Sequence, residues 1–269
     1  MNEFKVVLVT AGLGSLEFEN AAEKIVGTLL PMYPFSNSIS LTSANLKEYC
    51  PEISEDFKSQ LTSSIKGFAY MSWKAEITRN VLRGDFGRAD GILWVDAGCE
   101  IFDSYWTRRK LKSLINKLRI ENRLIFSLDT PENEYTKRDV LLYFGENFLK
   151  DNSAQIQTTF FGLSGGVGKI TSAKWFDAIK GNLGSVDDSI SKGGELPLFR
   201  RHTTDQSVFS LACKSEGLTV NLRPLRSGAR GFLSQLSASR DPIWASRNRT
   251  GETIIHPILR LGGRLSNIF

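Results

Sequence analysis

Three short segments of the chain carry side chains that could bind an anion or act on a hydroxyl group. In the first, Asp96 directly follows the apolar run at residues 91–95, and Gly98 comes shortly after it. A carboxylate at the carboxyl end of a buried strand lies where open α/β sheets bind ligands. Hard divalent cations that bridge two phosphates prefer such oxygen ligands. Asp96 is therefore a candidate ligand of a metal ion or a ribose; the ordinary alternative is an aspartate that caps a turn.

The second segment, residues 67–74, ends in Ser72, Trp73 and Lys74. Ser72 is a predicted N-cap of the helix that follows. A lysine in the first helical turn is disfavoured by the helix dipole. It is explained if it faces an anion, because helix N-termini bind phosphate. Lys74 is thus a candidate phosphate ligand, with a surface lysine beside a buried tryptophan as the equal alternative.

The third segment places an acid and an amide side by side at another predicted helix start. Thr203 or Thr204 is the expected cap, and Asp205 and Gln206 fall in the first turn. Sugar hydroxyls need directed acceptors and donors, and a carboxylate can orient or deprotonate an acceptor hydroxyl. Asp205 and Gln206 are the candidate catalytic residues. The ordinary alternative is that Asp205 only complements the helix dipole.

Two glycine-containing turns need separate interpretations. Gly12 and Gly14 follow the first apolar run and could let the backbone approach a nucleotide base or ribose. Residues 161–171 look like a phosphate-binding P-loop, but Leu163 stands at the first required glycine, and Ile170 replaces the Ser or Thr that holds magnesium. We therefore expect a flexible turn near a substrate there, not a nucleotide triphosphatase.

The two histidines, His202 and His256, have no partner at zinc-site spacing. His256 is a candidate late metal ligand, with a packed or surface histidine as the more common alternative.

Alternating strand and helix patterns must position these segments. The pattern predicts strands at 6–10, 38–42, 92–95, 123–128 and 155–163, and helices at 16–30, 53–66, 72–83, 104–119, 135–149, 171–180 and 203–216. This order predicts an α/β fold with a mostly parallel central sheet and helices on both faces. The Gly/Ser/Asp-rich loop at 181–197 is expected to be mobile. We found no internal repeat or linker, so one domain over residues 1–269 is the expectation.

Composition excludes several classes of protein. The chain has 269 residues, of which 41% are hydrophobic and 23% charged, as in ordinary globular proteins. No run of eighteen apolar residues predicts a membrane span, and the N-terminus does not resemble a signal peptide. Three widely separated cysteines fit a reducing cytoplasm better than a disulfide framework. A cytoplasmic protein is therefore expected.

Positive charge is concentrated near the C-terminus. From Asn221 onward there are eight arginines, no lysine and two acids, which leaves −1 for the rest of a chain whose net charge is +5. Such a segment favours an anionic partner, and arginine suits bidentate binding of phosphate. Apolar residues interleave with these arginines, so residues 221–269 are expected to pack over the active-site side. The ordinary alternative is a solvated basic tail.

Taken together, these segments resemble the glycosyltransferase-like proteins of the GT-A fold found in bacterial capsule and O-antigen gene clusters. That family shows the motifs GYGYWxWKP, GDxxxYxDAGC, E…WTKxD and HRHDQS in this order. The corresponding stretches here are GFAYMSWK at 67–74, ADGILWVDAGC at 89–99, EYTKRD at 134–139 and HTTDQS at 202–207. Gly98 leaves one aspartate where many GT-A enzymes have the metal-binding pair Asp-x-Asp.

The resemblance implies transfer of a sugar from a nucleotide-diphosphate donor to a hydroxyl of a glycan or lipid-linked acceptor in surface polysaccharide synthesis. Asp96 would bind a divalent metal (Mn²⁺ or Mg²⁺) and the ribose. Lys74 and C-terminal arginines such as Arg247 and Arg249 would neutralise phosphate. Asp205 and Gln206 would hold the transferred sugar or the acceptor. If the acceptor is lipid-linked, we also expect peripheral contact with an anionic membrane surface.

Two other functions are compatible with the residues. The missing second aspartate and the arginine-rich segment fit a non-catalytic module that binds a nucleotide or polyanion. The basic segment alone also fits a nucleic-acid-binding protein. We do not expect the latter, because the rest of the chain carries no excess positive charge and no recognised nucleic-acid-binding motif.

Overall fold

The computed structural model describes residues 3–101, 103–222 and 243–245. The strands are β1 (Val6–Ala11), β2 (Asn37–Leu41), β3 (Gly91–Val95), β4 (Cys99–Ile101), β5 (Arg123–Leu124), β6 (Ser127–Pro131), β7 (Ala154–Ile156), β8 (Phe160–Ser164) and β9 (Ile243–Ala245). The α-helical segments are α1 (Leu16–Leu29), α2 (Leu46–Tyr49), α3 (Pro51–Asp56), α4 (Gly67–Tyr70), α5 (Trp73–Arg83), α6 (Tyr105–Glu121), α7 (Glu132–Tyr135), α8 (Arg138–Phe144), α9 (Gly165–Ile179) and α10 (Asp205–Ser215).

A five-stranded sheet with the order β2-β1-β3-β8-β5 forms the centre of the fold. β1 pairs in parallel with both β2 and β3, whereas β8 pairs antiparallel with both β3 and β5. Four of the five strands therefore run in the same direction. Two shorter sheets, β4-β9 and β6-β7, lie outside it. The predicted α/β fold with a mostly parallel sheet is confirmed.

The central strands are apolar because both of their faces are covered, as is usual for parallel sheets. Side chains alternate between the faces along β1. Val7 and Val9 pack in a cluster that includes core residues of α5, α9 and α10. Val6 and Leu8 pack in a second cluster with residues of α1 and α6. The prediction of helices on both faces is confirmed.

Several predicted elements differ from those in the structure. The helix expected at 53–66 ends at Asp56, because the following Ser/Thr-rich stretch hydrogen-bonds locally, as between the Thr62 and Ser64 hydroxyls. The helix expected at 135–149 is divided: it begins at the last residue of α7 and continues as α8 and a 3₁₀ turn at Glu146–Lys150. The strand expected at 155–163 divides into β7 and β8, which belong to different sheets.

The glycine-rich segment after β8 is also different from the prediction. Gly165 and Gly166 begin α9, so this stretch is the first turn of a helix and not a flexible turn. The loop at 181–197, expected to be mobile, is tied to the core. Lys137 Nζ donates hydrogen bonds to Gly184 O and Asp187 Oδ1, and Glu195 accepts one from the Arg138 backbone.

None of the helices in the described ranges has the length and apolar character needed to cross a bilayer. The thiols of Cys50, Cys99 and Cys213 are free and buried, as their wide spacing predicts.

Candidate active site

Asp96 lies at the carboxyl edge of the central sheet, directly after β3. Its backbone N–H donates to Thr159 O, which fixes the turn that follows the strand. Its Oδ1 accepts a hydrogen bond of 2.7 Å from the indole Nε1 of Trp94. The Asp96 side chain is 29% exposed. The carboxylate is thus held at the edge where β1 and β3 both end, and it stays accessible to a ligand.

Lys74 is buried beneath this edge and not on the surface. Its side chain is 2% exposed, and its Nζ lies 2.9 Å from Asp96 Oδ1 and 3.6 Å from Asp205 Oδ2. The ammonium also lies 5.3 Å from the centre of the Trp94 ring, within cation–π range. Burial lowers the pKa of Lys74, but the two carboxylates outweigh burial and raise it above the ordinary lysine value. Lys74 is therefore charged between two carboxylates.

Asp205 begins α10 and is 2% exposed. Its Oδ1 accepts a hydrogen bond from the Thr204 hydroxyl, whereas its Oδ2 accepts none. The 3.6 Å separation from Lys74 Nζ is an ion-pair distance but too long for a hydrogen bond. Burial raises the pKa of Asp205, an effect that Lys74 opposes and Asp96 reinforces. Asp205 is a buried acid whose hydrogen-bonding capacity is only partly used.

Neither predicted helix cap hydrogen-bonds to its helix as expected. Ser72 precedes α5 with right-handed helical backbone angles, and its buried hydroxyl makes no hydrogen bond. Thr204 precedes α10 with φ +51°, and its hydroxyl bonds to the Asp205 carboxylate instead of a backbone N–H. A positive φ is unfavourable for threonine, so the start of α10 is a strained position next to Asp205.

The segment before Lys74 is a left-handed turn, comprising residues 67–71. All five residues have φ between +53° and +65°. Left-handed helical geometry costs about 1–2 kcal/mol for each non-glycine residue. The turn is held by backbone bonds from Tyr70 to Lys66 O and from Met71 to Gly67 O, and by the Trp73 indole, which donates to Gly67 O and Phe68 O. The sequence did not predict this left-handed turn, because Gly67 is the one residue in it that tolerates a positive φ.

A cavity of about 680 Å³ opens at the same edge of the sheet. Lys74, Asp96 and Gly14 line it, together with the left-handed turn and the start of α1. The full lining is Ala11, Leu13, Gly14, Ser15, Phe18, Ser63, Ile65, Lys66, Gly67, Phe68, Met71, Trp73, Lys74, Asp96, Ala97 and Gly98. The volume is within the range of small-molecule sites. The predicted phosphate and ribose ligands thus share one cavity.

The two predicted glycines have different surroundings. Gly14 lines the cavity with φ +85°, a conformation that disfavours side chains. Gly12 packs against the first turn of α1, where a Cβ would lie 2.0 Å from the Phe18 carbonyl oxygen. Gly12 is thus required by helix packing, whereas Gly14 faces the space that a ligand would occupy.

A buried polar network supports the start of α10 from behind. Gln155 Nε2 donates hydrogen bonds to Glu132 Oε1 and to the Tyr135 carbonyl oxygen. Both of these oxygens are acceptors, so the nitrogen end of the Gln155 amide must face them. That orientation leaves Gln155 Oε1 to accept a 2.9 Å bond from Gln206 Nε2. The Gln206 amide therefore has its N–H end engaged and its oxygen available as an acceptor. The sequence offered no signal for Glu132 or Gln155, which lie far from Gln206 along the chain.

His202 is a structural residue of the same region. It is 4% exposed, its Nδ1 accepts from the Lys137 backbone N–H, and its Nε2 donates to Ser185 O. Burial and the nearby Lys137 lower its pKa to about 3. His202 is therefore neutral at ordinary pH, and its ring links Ser185 of the loop at 181–197 to Lys137 at the start of α8.

The surroundings of Asp96 fit an ammonium ion better than a divalent metal. Asp96 Oδ1 already accepts hydrogen bonds from Trp94 and Lys74. A dication bound there would meet the adjacent positive charge of Lys74. Within the described part of the chain, no group of three or more His, Cys, Asp or Glu residues could hold a metal ion. The predicted ligand His256 and the predicted phosphate ligands Arg247 and Arg249 lie outside the described residues.

Comparison with known proteins gives similarity of overall structure only. No protein-family model and no curated protein sequence matches the chain. Among solved structures, mouse xyloside xylosyltransferase 1 in its apo form has 11% sequence identity and a TM-score of 0.45, over 91% of this chain and 99% of that one. The galactosyltransferase LgtC in complex with donor and acceptor sugar analogs has 12% identity and a TM-score of 0.43, over 93% and 84%. Similarity at this level does not establish a common activity.

Proposed function

We propose that this protein is a GT-A-type glycosyltransferase that moves a sugar from a nucleotide-diphosphate donor to a hydroxyl of a glycan or lipid-linked acceptor. The observation that carries the proposal is the ion cluster Lys74–Asp96–Asp205 at the carboxyl edge of the sheet. Two of its members line the cavity of about 680 Å³. Residues from three of the ordered motifs therefore meet at one place.

The chemistry requires stabilisation of negative charge on the leaving diphosphate. A fixed positive charge in a site from which water is excluded stabilises such developing charge more than it would in water. Lys74 is such a charge, because its ammonium is buried and held by two carboxylates. Lys66 adds a second, more exposed positive charge to the cavity lining. Asp96, at the edge, is assigned to the ribose.

Asp205 and Gln206 are assigned to the transferred sugar or the acceptor. The Gln206 amide oxygen can accept a hydrogen bond from a hydroxyl group, because the N–H end of that amide is already bound to Gln155. Asp205 Oδ2, which accepts no hydrogen bond, is a second acceptor nearby. Gly14 lets the backbone come close to the base or ribose. These roles are part of the proposal.

The C-terminal arginines are assigned to phosphate or to an anionic surface. β9 pairs with β4, which places Ala245 opposite Cys99. Cys99 N in turn bonds to Asp96 O, so this part of the C-terminal segment is attached next to the candidate site. Arg247 follows Ala245 closely along the chain. The remaining assignments rest on the sequence motifs and charge. They are a cytoplasmic location, a surface polysaccharide product and peripheral membrane contact.

The decisive experiment is isothermal titration of the protein with a panel of nucleotide sugars, with and without Mn²⁺, followed by assay of donor hydrolysis and sugar transfer. We expect one nucleotide class to bind and its sugar to be released or transferred, and Asp96→Ala to remove that turnover. No binding under either condition would refute the proposal. Binding without turnover in the wild type would favour the non-catalytic nucleotide-binding module.

A further inference from the structure

The ammonium of Lys74 occupies the place between two carboxylates where a bound cation would be expected. Its Nζ lies 2.9 Å from Asp96 Oδ1 and 3.6 Å from Asp205 Oδ2. The two carboxylates come from the second and the fourth of the ordered motifs, and neither has another positive partner among the described residues. Oxygen pairs of this kind bind hard cations when no lysine is present.

Several features fix the ammonium there. The left-handed turn directly precedes α5, and the Trp73 indole ties that turn to the first turn of the helix. Trp94 contributes both a cation–π contact to Lys74 and a hydrogen bond to Asp96. With its side chain 2% exposed, Lys74 cannot move into solvent without disrupting this packing. The position between the two carboxylates is therefore filled by a side chain of the protein itself.

We propose that Lys74 replaces the divalent cation at this site, so that the protein binds a nucleoside diphosphate without an obligatory metal ion. The choice of ligand rests on the proposed function. The replacement itself rests on the geometry of Lys74, Asp96 and Asp205. A direct consequence is that removing the ammonium should turn the site into one that binds a divalent cation.

The first test uses Mn²⁺ alone as the probe, with binding measured by electron paramagnetic resonance. We expect wild-type protein to bind Mn²⁺ weakly, Lys74→Met to bind it at least tenfold more tightly, and Lys74→Met/Asp96→Asn to lose that gain. Lys137→Met is the matched control, because Lys137 is equally buried but faces a single carboxylate, Asp187. Tight Mn²⁺ binding by the wild type at Asp96, or no gain in a folded Lys74→Met, would overturn the proposal.

The second test needs no variant and remains informative if Lys74→Met does not fold. Binding of UDP, GDP, CDP and ADP to wild-type protein is titrated in excess EDTA and in Mn²⁺. We expect the affinity of the preferred nucleotide to change less than about threefold. Loss of binding in EDTA would overturn the proposal. Failure of all four nucleotides to bind in either condition would refute the proposed function, while the Mn²⁺ titrations still decide the role of Lys74.

A second inference comes from α6, whose exposed side is both basic and aromatic. The helix contains six Lys or Arg residues and one acid, Glu121. Tyr105 and Trp106, in its first turn, are 59% and 55% exposed. Arg109, Lys110 and Lys112 are exposed and form no ion pair with any described residue. Trp106, Arg109 and Lys110 have helical spacing that puts them on one side.

This surface lies at the same edge of the sheet as the cavity. β3 ends at that edge, and α6 begins shortly after Asp96 and β4, so Tyr105 and Trp106 are at the site end of the helix. Tyrosine and tryptophan prefer the membrane–water interface, and clustered basic residues are attracted to acidic lipids. We infer that α6 docks the protein on an acidic phospholipid surface with the cavity edge close to the bilayer.

The test is sedimentation with vesicles of phosphatidylcholine alone or mixed with phosphatidylglycerol. We expect salt-sensitive binding to the acidic vesicles only, reduced at least tenfold by Arg109→Glu/Lys110→Glu/Lys112→Glu. The control is Lys47→Glu/Lys58→Glu, which removes two exposed basic residues from another surface. Brominated lipids should quench Trp106, and Trp106→Phe should remove that quenching.

No vesicle binding, equal binding by the α6 variant and its control, or preferential binding of single-stranded nucleic acid would overturn the inference about α6.

Discussion

Two buried clusters of this protein contain the same kinds of residue but use them differently. In one, Lys214 donates to Glu132 and Asp151, and every oxygen of the Glu132 carboxylate accepts a hydrogen bond. In the other, Lys74 lies between Asp96 and Asp205, and Asp205 Oδ2 accepts no hydrogen bond. The first cluster is complete within the protein, and the second has capacity left for a ligand.

The difference separates a structural role from a ligand-binding role in physical terms. Leaving a buried polar group without a partner costs about 1–3 kcal/mol. The strained backbone at Thr204 and at residues 67–71 adds to that cost. Such costs are concentrated around Lys74 and Asp205, whereas both carboxylate oxygens of Glu132 are hydrogen-bonded. The Glu132 cluster fixes the middle and the end of α10 through Ser210 and Lys214, and the Lys74 cluster is the part that a ligand would complete.

The strongest test of this contrast is Glu132→Gln, a substitution that keeps the shape of the side chain. The amide places an N–H group among hydrogen-bond donors and leaves Lys214 without its main partner. We expect the free energy of unfolding to fall by about 3–5 kcal/mol, the usual effect of breaking a buried ion pair. Urea denaturation measures it. A loss below about 1 kcal/mol would show that the Glu132 cluster is not the structural one.

The matching substitution in the other cluster is Asp205→Asn. Because Oδ2 accepts no hydrogen bond and burial raises the pKa of Asp205, we expect little change in unfolding free energy. The rate of sugar transfer, measured as kcat/KM, should fall roughly 100-fold, which is typical when one preorganised polar contact is removed. Unchanged transfer by a folded variant would exclude Asp205 from the site.

The pH dependence of stability should distinguish His202 from both clusters. Its pKa is about 3 in the folded protein against an ordinary value of 6.5, so the unfolded chain binds the extra proton first as pH falls. The contribution of His202 to the free energy of unfolding is complete above pH 6.5. Below that pH it is lost at about 1.4 kcal/mol per pH unit. Between pH 7 and pH 5 the loss is therefore about 2 kcal/mol.

His202→Gln is the control for that measurement, because glutamine can accept from Lys137 N–H and donate to Ser185 O without titrating. In urea denaturation, we expect the free energy of unfolding of the variant to fall by about 2 kcal/mol less than that of the wild type between pH 7 and pH 5. Identical losses in the two proteins would mean that His202 is not the group responsible.

The smallest effect is expected in the left-handed turn. Ala69 is buried with φ +65°, so glycine there relieves backbone strain while it removes a buried methyl group. We expect Ala69→Gly to change the free energy of unfolding by less than about 0.5 kcal/mol. Ala212→Gly, at an equally buried position within α10, should cost about 1.5–2 kcal/mol. If Ala69→Gly and Ala212→Gly lost equal amounts of unfolding free energy in thermal or urea unfolding, the strain assigned to residues 67–71 would be contradicted.

Patterns that depend on neighbouring residues were predicted well from the sequence. The apolar runs at β1 and β3 and the periodic spacing of α1, α5, α6 and α10 gave their type and place, because burial on one or both faces sets those patterns. The proximity of Lys74, Asp96 and Asp205 was implied only by the resemblance of the ordered motifs, which assigned all three to one site. The structure places them within ion-pair distance.

Features that depend on distant partners could not be predicted. The left-handed turn requires the Trp73 indole to bind its carbonyl groups, and propensity alone disfavours it at Phe68 and Ala69. The division of 155–163 into β7 and β8 depends on two different partner strands. The burial of Lys74 depends on a pair of carboxylates that sequence spacing cannot bring together.

The hydrogen bond from Trp94 to Asp96 has an optical consequence. The indole contacts the carboxylate at 2.7 Å, lies 5.3 Å from the Lys74 ammonium and stacks on Phe161. Its excited state is therefore sensitive to the charge distribution at the cavity floor. A nucleotide diphosphate bound beside these ions should change the field at Trp94 and shift its share of the tryptophan emission, so the site contains an intrinsic fluorescent reporter of its own occupancy.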